Sequence, residues 1–267
     1  MRSKTTLRQK SIPGIMGGMS TVSSDHFEYL SKDFYQQYFT PAKVEMNLIR
    51  EDLDMAQVQY WQEHDQWNLW DDAMMGKAIV LREKGADFIA VISNTAHCFA
   101  DDIERAADKP LLHIATPTIQ AIKNDGLKTV GLLGTKYTMT ERYLIDKFEQ
   151  AGIKVIVPNN FDIKTVHGII FRELIHDIVK PASRVHYDAV IDNMRAAGAQ
   201  AIVLGCTEVG MLITPQSGNK YTYQRAGVPV RDPETIPVYD TNLLHARAVA
   251  AAAYYGYDMW KKSLRLK

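Results

Sequence analysis

The stretch Gly85-Ala86-Asp87-Phe88-Ile89-Ala90-Val91-Ile92-Ser93 recurs later in the chain as Gly198-Ala199-Gln200-Ala201-Ile202-Val203-Leu204-Gly205-Cys206. In both copies Gly-Ala ends a helical pattern, an apolar run follows, and a small polar residue stands at the same offset. An apolar run without polar alternation is typical of a strand buried on both faces, as in a parallel sheet covered by helices. The pattern therefore predicts an α/β fold.

Two further pairs of segments repeat in the same order along the chain. Lys10–Gly17 resembles Lys128–Gly134, and Pro110–His113 resembles Pro237–Asp240. Three pairs in one order indicate two similar α/β halves that arose by duplication and fusion. The runs that predict strands are Ile12–Met16, Phe88–Ile92, Leu111–Ile114, Thr129–Leu133, Lys154–Val157, Ala201–Leu204 and Val238–Tyr239.

The repeat also predicts how the chain is divided. We expect a first α/β lobe formed by residues 10–115 plus 236–267 and a second formed by residues 116–235, related by a pseudo-twofold axis. Ligands of open α/β sheets bind outside the carboxyl ends of the strands, so we expect the active site in the interlobe cleft. Two irregular stretches, Pro41–Trp70 and Thr214–Pro237, are candidates for rim or lid loops or for an oligomer interface.

Composition limits the class of protein. The 267 residues are 46% hydrophobic, and 31 basic residues balance 31 acidic ones, which argues against disorder, a nucleic-acid partner and a membrane surface. No apolar run approaches the ~20 residues needed to span a bilayer. Two cysteines and a polar, basic start without an apolar core favour the reducing cytoplasm over secretion. The sequence therefore predicts a cytoplasmic protein, with a small molecule as its partner.

Cys206 is the strongest candidate for chemistry. It follows a buried strand in Leu204-Gly205-Cys206-Thr207-Glu208, where the glycine lets a ligand approach the backbone. Free amides after a strand end would lower the pKa of the Cys206 thiol and so supply thiolate. The alternative is an inert cysteine that packs as a small hydrophobe.

The segment Ser93-Asn94-Thr95-Ala96-His97 offers several polar groups. His97 lies one helical turn after Ser93 and could take its proton, but no Gly-x-Ser-x-Gly elbow surrounds this serine. Ser93 could equally cap the following helix. Asn94, Thr95 and Thr207 are typical of groups that hold a carboxylate, although each could also cap a helix.

Two other clusters predict no cofactor. Gly14-Ile15-Met16-Gly17-Gly18-Met19-Ser20 lacks the spacing of a dinucleotide or P-loop site and indicates a tight loop that brings backbone amides and Ser20 to the cleft. The cluster of His97, Cys98, Asp101 and Asp102 lacks metal-site spacing and is typical of a solvated helix start, so we expect no metal.

Four motifs in one order resemble the aspartate/glutamate (hydantoin) racemase superfamily. They are Gly17-Gly18-Met19-Ser20, Ser93-Asn94-Thr95-Ala96-His97, Gly205-Cys206-Thr207-Glu208, and Pro237-Val238-Tyr239-Asp240-Thr241 with His245-Ala246. The resemblance implies two α/β lobes with the active site between them and catalysis without pyridoxal phosphate. It also implies two cysteines on opposite faces of the substrate that remove and return the Cα proton.

This chain departs from the family at the first of those cysteines, where it has Ser93. Cys206 keeps the second position. A two-base racemase needs a proton acceptor on one face and a donor on the other, and a serine hydroxyl donates better than it abstracts. We therefore expect Cys206 and Ser93 to be the catalytic pair, with slow or absent reaction from one enantiomer.

The resemblance also suggests how an amino acid substrate is held. In the family's acidic-amino-acid enzymes a lysine binds the side-chain carboxylate, and this chain has His176 at that position. Arg50 lies in the segment predicted to face it. Positive charge at these positions would suit a carboxylate, so an acidic amino acid is expected. A neutral or cationic amino acid is the alternative. The expected substrate-binding residues are Gly18, Met19, Ser20, Arg50, Asp52, Asn94, Thr95, His176, Thr207 and Glu208. The expected assembly is a homodimer.

Two other functions fit the same residues. One is a single-cysteine decarboxylase or isomerase on the same scaffold, in which Cys206 protonates a carbanion on one face. The other is a non-catalytic protein that binds an amino acid and has lost turnover with the first cysteine.

Overall fold

The computed structural model describes residues 9–39, 44–213, 221–223 and 236–264, so that most of the predicted loop Thr214–Pro237 lies outside them. In chain order the elements are β1 (Pro13–Gly17), α1 (Thr21–Phe34), β2 (Ile49–Asp52), α2 (Met55–Glu63), α3 (Trp67–Glu83), β3 (Phe88–Val91), α4 (Ala100–Ala107), α5 (Ala115–Asn124), β4 (Thr129–Gly134), α6 (Lys136–Thr140), α7 (Arg142–Gln150), β5 (Lys154–Ile156), α8 (Asn160–Arg172), α9 (Pro181–Ala196), β6 (Ala201–Gly205), α10 (Val209–Leu212), β7 (Tyr221–Tyr223), β8 (Ile236–Asp240), α11 (Thr241–Tyr255) and α12 (Tyr257–Ser263). Short turns of other helix types occupy Tyr35–Phe39, Thr95–Phe99 and Leu174–His176.

The strands form two sheets in which every pairing is parallel. The first sheet has the order β2-β1-β3, and the second has the order β5-β4-β6-β8-β7. The triplets β2-β1-β3 and β5-β4-β6 share one connectivity, because in each the first strand lies between the second and the third. The predicted α/β class with two parallel-sheet lobes is confirmed.

Packing explains why the strands lack polar alternation. In β6, Ile202 and Leu204 belong to one buried cluster of the second sheet, whereas Ala201 and Val203 belong to another. Both faces of the strand are therefore covered by apolar side chains, which removes any position for a solvated residue. In the first sheet, Phe88 and other strand residues pack against the alanine-rich helix α11 and against Trp260 of α12.

Three strand assignments differ from the sequence prediction. Leu111–Ile114 makes only a single bridge, from Leu111 to Ile89, instead of a strand. The strands β2 and β7 were not predicted. β2 lies at the edge of its sheet and has the polar sequence Ile49-Arg50-Glu51-Asp52, so that it lacks the apolar run that marks a buried strand. The stretch Pro41–Trp70, expected to be irregular, contains β2 and α2 after residues 41–43, which lie outside the described ranges.

The chain forms two compact units that are not continuous in sequence. The first contains residues 1–92, 99–113 and 246–267, and the second contains residues 93–98 and 114–245. The predicted boundary at residue 236 differs from this division, because β8 hydrogen-bonds to β6 and so extends the second unit. The segment Ser93–Cys98 also belongs to the second unit. Among the described residues, no helix combines the length and apolar character needed to cross a bilayer.

Candidate active site

The carboxyl ends of β4, β6 and β8 meet at one edge of the second sheet. Gly134 is in register with Gly205, and Leu204 with Asp240. A Cβ atom on Gly134 would lie 2.5 Å from the Gly205 carbonyl oxygen, so only glycine permits this close approach of the two strand ends. The residues that follow, Thr135 and Cys206, therefore lie side by side at this edge.

Cys206 is buried immediately after β6 and has a carboxylate partner. Its Sγ lies 3.0 Å from Oε2 of Glu208, which also accepts a hydrogen bond from the Thr207 hydroxyl at 2.8 Å. Glu208 is itself buried, with 4% of its surface exposed. The thiol therefore faces a carboxylate oxygen that accepts its hydrogen, and Thr207 holds that oxygen in place.

The prediction that the pKa of the Cys206 thiol is lowered is wrong. The pKa of Cys206 is raised well above its ordinary value, because the thiol is desolvated and because the charge of Glu208 disfavours a second negative charge. The backbone amides of Glu208 and Val209 lower the pKa, as predicted for free amides after a strand, but burial outweighs them. Cys206 is consequently a thiol in this state, not a thiolate.

Ser93 belongs to the second unit, as Cys206 does, and lies just before the short helical turn Thr95–Phe99. Its Oγ accepts a hydrogen bond from the Ala96 amide at 3.2 Å, which is the helix-capping alternative predicted for this serine. Both ring nitrogens of His97 have backbone partners. Its Nδ1 lies 2.7 Å from the Ser93 carbonyl oxygen, and its Nε2 accepts the Ile114 amide at 3.1 Å.

These contacts define the protonation of His97. The Nδ1 atom donates and the Nε2 atom accepts, so the ring is neutral. Burial lowers the pKa of His97 to about 4. His97 therefore fastens the Ser93 segment to the start of α5, and the predicted role as a base for Ser93 is not supported by this geometry.

Asn94 connects this segment to the end of β6. Its Nδ2 donates to the Thr241 hydroxyl at 2.9 Å, and Thr241 in turn donates to the Leu204 carbonyl at 2.8 Å. Because the Thr241 hydrogen is used on Leu204, the amide nitrogen of Asn94 must face Thr241. The Asn94 Oδ1 is left buried without a hydrogen-bond partner among the described residues.

Thr95 joins a cluster of four hydroxyl groups. Its Oγ1 lies 3.0 Å from that of Thr135 and 3.5 Å from that of Thr138. Thr135 and Thr138 are 3.2 Å apart, and the Thr138 Oγ1 lies 3.3 Å from the Tyr143 hydroxyl. We call these four residues the hydroxyl cluster. Thr135 also caps α6 by accepting the Thr138 amide.

Sequence reasoning missed three members of this cluster. Thr135 follows β4 and Gly134 just as Cys206 follows β6 and Gly205, so the repeat that singled out Ser93 and Cys206 also carried this signal. The spacing Thr135-Lys136-Tyr137-Thr138 is the ordinary spacing of a helix cap, which conceals any other use of the hydroxyls.

Asp240 was also not among the predicted site residues. It ends β8, and its Oδ1 accepts the amides of Asn242 and Leu243 at the start of α11. Burial and the nearby charge of Glu208 raise the pKa of Asp240 to about 6, although the two amides lower it. This edge of the sheet therefore holds two carboxyl groups whose charges interact.

The first unit holds the glycine-rich loop after β1. Gly18 has a φ of +83°, and a Cβ there would lie 2.1 Å from the Leu53 carbonyl oxygen, so a side chain is excluded. The Gly18 amide donates to Ser24 Oγ, and Ser20 Oγ caps α1 by accepting the Ser23 amide. Met19 is buried. The expected tight loop is therefore present, with the Ser20 hydroxyl used as a helix cap.

Arg50 and Asp52 lie on β2 of the first unit and bind each other. Arg50 contacts Asp52 at 2.8 Å, Asp25 at 2.7 Å and Glu28 at 3.3 Å. These three carboxylates raise the pKa of the Arg50 guanidinium and compensate its charge. The predicted free cation for a substrate carboxylate is therefore an ion-paired arginine in this structure.

His176 ends a short helical turn of the second unit. Its neighbour Leu174 is buried in the cluster that contains Cys206, whereas His176 itself is exposed.

Comparison with known proteins agrees with the fold described above. The family model described as Asp/Glu/Hydantoin racemase matches residues 31–249. The broad specificity amino-acid racemase RacX of Bacillus subtilis is 28% identical over 144 residues, which are 53% of this chain and 60% of RacX. The chain thus aligns with less than two thirds of the length of that curated relative.

Two solved structures resemble the chain over most of its length. A candidate Asp/Glu racemase from Yersinia pestis has a TM-score of 0.77 and 33% identity, and the match covers 91% of this chain and 99% of that one. An aspartate racemase homologue from Pyrococcus horikoshii has a TM-score of 0.72 and 24% identity, with the same coverage, and is similar in fold. This chain belongs to the Asp/Glu/hydantoin racemase family, a family of isomerases.

Proposed function

We propose that this chain is an amino acid racemase that works without pyridoxal phosphate, with Cys206 as its thiol base. The observation that carries the proposal is the 3.0 Å contact between Cys206 Sγ and Glu208 Oε2. A buried thiol of raised pKa removes a Cα proton only if another group first takes its hydrogen. Glu208 is placed to do so.

In one direction the proposed reaction has two proton transfers at Cα, one on each face. The thiol hydrogen passes from Cys206 to Glu208, and the thiolate then takes the Cα proton while the C–H electron pair stays on carbon. The Ser93 hydroxyl, or a water held there, gives a proton to the opposite face of the carbanion. The alkoxide or hydroxide left behind takes a proton from solvent, and Glu208 releases its proton to solvent. The Ser93 Oγ accepts the Ala96 amide but keeps its own hydrogen for donation. Since a serine hydroxyl is a poor base, proton abstraction on that face should be slow. The two enantiomers are equally stable, so net conversion is then slow in both directions and only Cα exchange is one-sided.

The hydroxyl cluster and Asn94 support an α-amino acid as the substrate. The cluster has four O–H donors grouped at the strand ends, and a carboxylate is the acceptor that suits such a group. The buried Asn94 Oδ1 suits an ammonium N–H donor, because an unpaired buried carbonyl is costly. This assigns Asn94 to the amino group, in place of the carboxylate suggested by the sequence.

The side-chain class is the finer part of the proposal. Family resemblance favours aspartate or glutamate. The three carboxylates on Arg50 favour the neutral or cationic class instead, because they leave that arginine no net positive charge for an acidic side chain. From the sequence we further propose a homodimer that acts in the cytoplasm.

Solvent-deuterium exchange at Cα tests this function. L and D forms of aspartate, glutamate, alanine and lysine are each incubated with the enzyme in heavy water, without added cofactor. We expect exchange of at least one amino acid, faster from one enantiomer, and its loss in Cys206→Ser. Equal exchange from both enantiomers contradicts the assigned roles of Cys206 and Ser93. No exchange, with carbon dioxide release from a substituted malonate, favours the decarboxylase alternative.

A further inference from the structure

We propose that Tyr143 is a positioning residue that orients the hydroxyl cluster toward the substrate carboxylate. The inference rests on the proposed function, and it assigns a residue outside the strand-end motifs. Tyr143 lies on α7 and is partly buried against the apolar cluster of the second unit. Desolvation raises the pKa of its hydroxyl well above the ordinary value, so the phenol keeps its hydrogen.

Two directions of hydrogen bonding satisfy the donors and acceptors of the hydroxyl cluster, and the proposal takes the one that begins on Tyr143. The Thr135 Oγ1 accepts the backbone amide of Thr138. Tyr143 then donates to Thr138, Thr138 donates to Thr135, and Thr135 donates to Thr95 at 3.0 Å. In this order the hydrogen of Thr95 is the one that remains for another acceptor.

Tyr143 supplies that acceptor when no carboxylate is bound. Its hydroxyl also interacts with Thr95. The oxygen–oxygen distances within the hydroxyl cluster, 3.0 to 3.5 Å, are longer than the usual 2.7–2.8 Å, so these hydrogen bonds are weak. A carboxylate is a stronger acceptor than a phenol oxygen, and it would take over the Thr95 hydrogen.

The Tyr143 hydroxyl therefore fixes the direction in which the hydrogen bonds of the hydroxyl cluster run. Without it, Thr138 can accept only from Thr95 or Thr135, so the threonine hydrogens can point inward at one another instead of outward. The lost orientation weakens binding of the carboxylate, which is common to both enantiomers. It leaves the proton-transfer groups Cys206 and Ser93 untouched.

The test compares Tyr143→Phe with Tyr239→Phe. The Tyr239 hydroxyl is also in the second unit, but it donates to Asp125 and not to the hydroxyl cluster. For the amino acid that exchanges fastest in the wild type, we expect Tyr143→Phe to raise KM about 3- to 10-fold for both enantiomers, the value of one net hydrogen bond. The kcat should stay within about 2-fold. Tyr239→Phe should change neither constant, although both variants lose one buried hydroxyl contact.

Three results overturn the proposal. They are an unchanged KM in folded Tyr143→Phe, a rise for one enantiomer alone, and an equal rise in Tyr239→Phe. Calorimetric titration with the L and D forms of aspartate, glutamate, alanine and lysine measures the same loss as a Kd. A wild type that binds an amino acid without exchange contradicts the racemase function alone, and the Kd of Tyr143→Phe still decides the role of Tyr143.

Discussion

At the scale of single residues, the pair Cys206 and Glu208 shows how burial and reactivity oppose each other. Burial protects the thiol from solvent but raises its pKa, and the adjacent carboxylate raises it further. The same carboxylate is the acceptor through which the thiol can lose its hydrogen. Glu208 thus disfavours the thiolate in the resting state, but it also provides the acceptor through which the thiolate can form during reaction.

Glu208→Gln separates these two effects. The pKa of Cys206 should fall, because the negative charge that raises it is removed and a glutamine amide can donate to the thiolate. Exchange from the enantiomer served by Cys206 should nevertheless fall about 100-fold, the usual scale for loss of a proton acceptor. Thiolate absorbance against pH, measured with Cys98→Ala in every sample, reports the first change, and deuterium exchange reports the second.

Glu149→Gln is the matched control, because Glu149 is a carboxylate of the same unit that pairs with Arg142 at the surface. It should alter neither quantity. Exchange that holds steady or increases in Glu208→Gln, while the thiolate forms more readily, would show that thiol acidity alone limits the reaction.

At the scale of elements, the site depends on the close approach of β4 and β6 where they end. Gly134 and Gly205 lie in register, and Thr138 fills the space above them. The side chains that follow, Thr135 and Cys206, are placed by that contact. A change in the spacing of the two strand ends would move both.

Gly134→Ala tests this contact. The new methyl group would lie 2.5 Å from the Gly205 carbonyl, so we expect a loss of about 1–3 kcal/mol in the free energy of unfolding, together with lower exchange activity. Urea denaturation measures the loss. Gly76→Ala is the control, since Gly76 lies in α3 with open space around it and should gain about 0.5–1 kcal/mol. Equal stability of the two variants would contradict the packing argument.

The same elements show what the sequence could predict. The strands β1, β3, β4 and β6 were foreseen because burial on both faces demands continuous apolar runs. The polar edge strand β2 was not, because its charged side chains are satisfied by ion pairs that leave no trace in periodicity.

The hydroxyl cluster was only partly foreseen, for a different reason. Thr95 and Thr135 are 40 residues apart, and threonines at helix starts are common. Only the folded chain brings these hydroxyl groups together. The raised pKa of Cys206 was missed because the sequence shows the amides beside the thiol but not the depth at which it lies.

At the scale of the whole molecule, three groups with large pKa shifts contribute to the response to acid. The pKa values of His97 and His167 are lowered to about 4, chiefly by burial. The pKa of Asp240 is raised to about 6. Between pH 6.5 and 4, both histidines are protonated in the unfolded chain but neutral in the folded chain. Asp240, in contrast, is protonated in the folded chain and ionised in the unfolded chain.

Among these three groups the net difference is about one proton in favour of the unfolded chain, and the lowered pKa of His26 acts in the same direction. Stability should therefore fall as the pH drops from 6.5 to 4. His167→Asn should flatten this fall, because one histidine is removed. Asp240→Asn, which can still cap α11, should steepen it, because the opposing group is lost. Urea denaturation at several pH values measures the slopes. Slopes that change in the reverse order would contradict the assignment.

The interleaved path of the chain has a consequence for inheritance. The chain passes from one compact unit to the other after residues 92, 98, 113 and 245. Neither unit therefore corresponds to one uninterrupted stretch of coding DNA. A single crossover between related genes would divide at least one unit between two parents. A donor block for residues 114–245 would arrive without its partner segment Ser93–Cys98. Lobe shuffling by recombination should therefore yield few working chimaeras, and diversification should proceed mainly by point substitution.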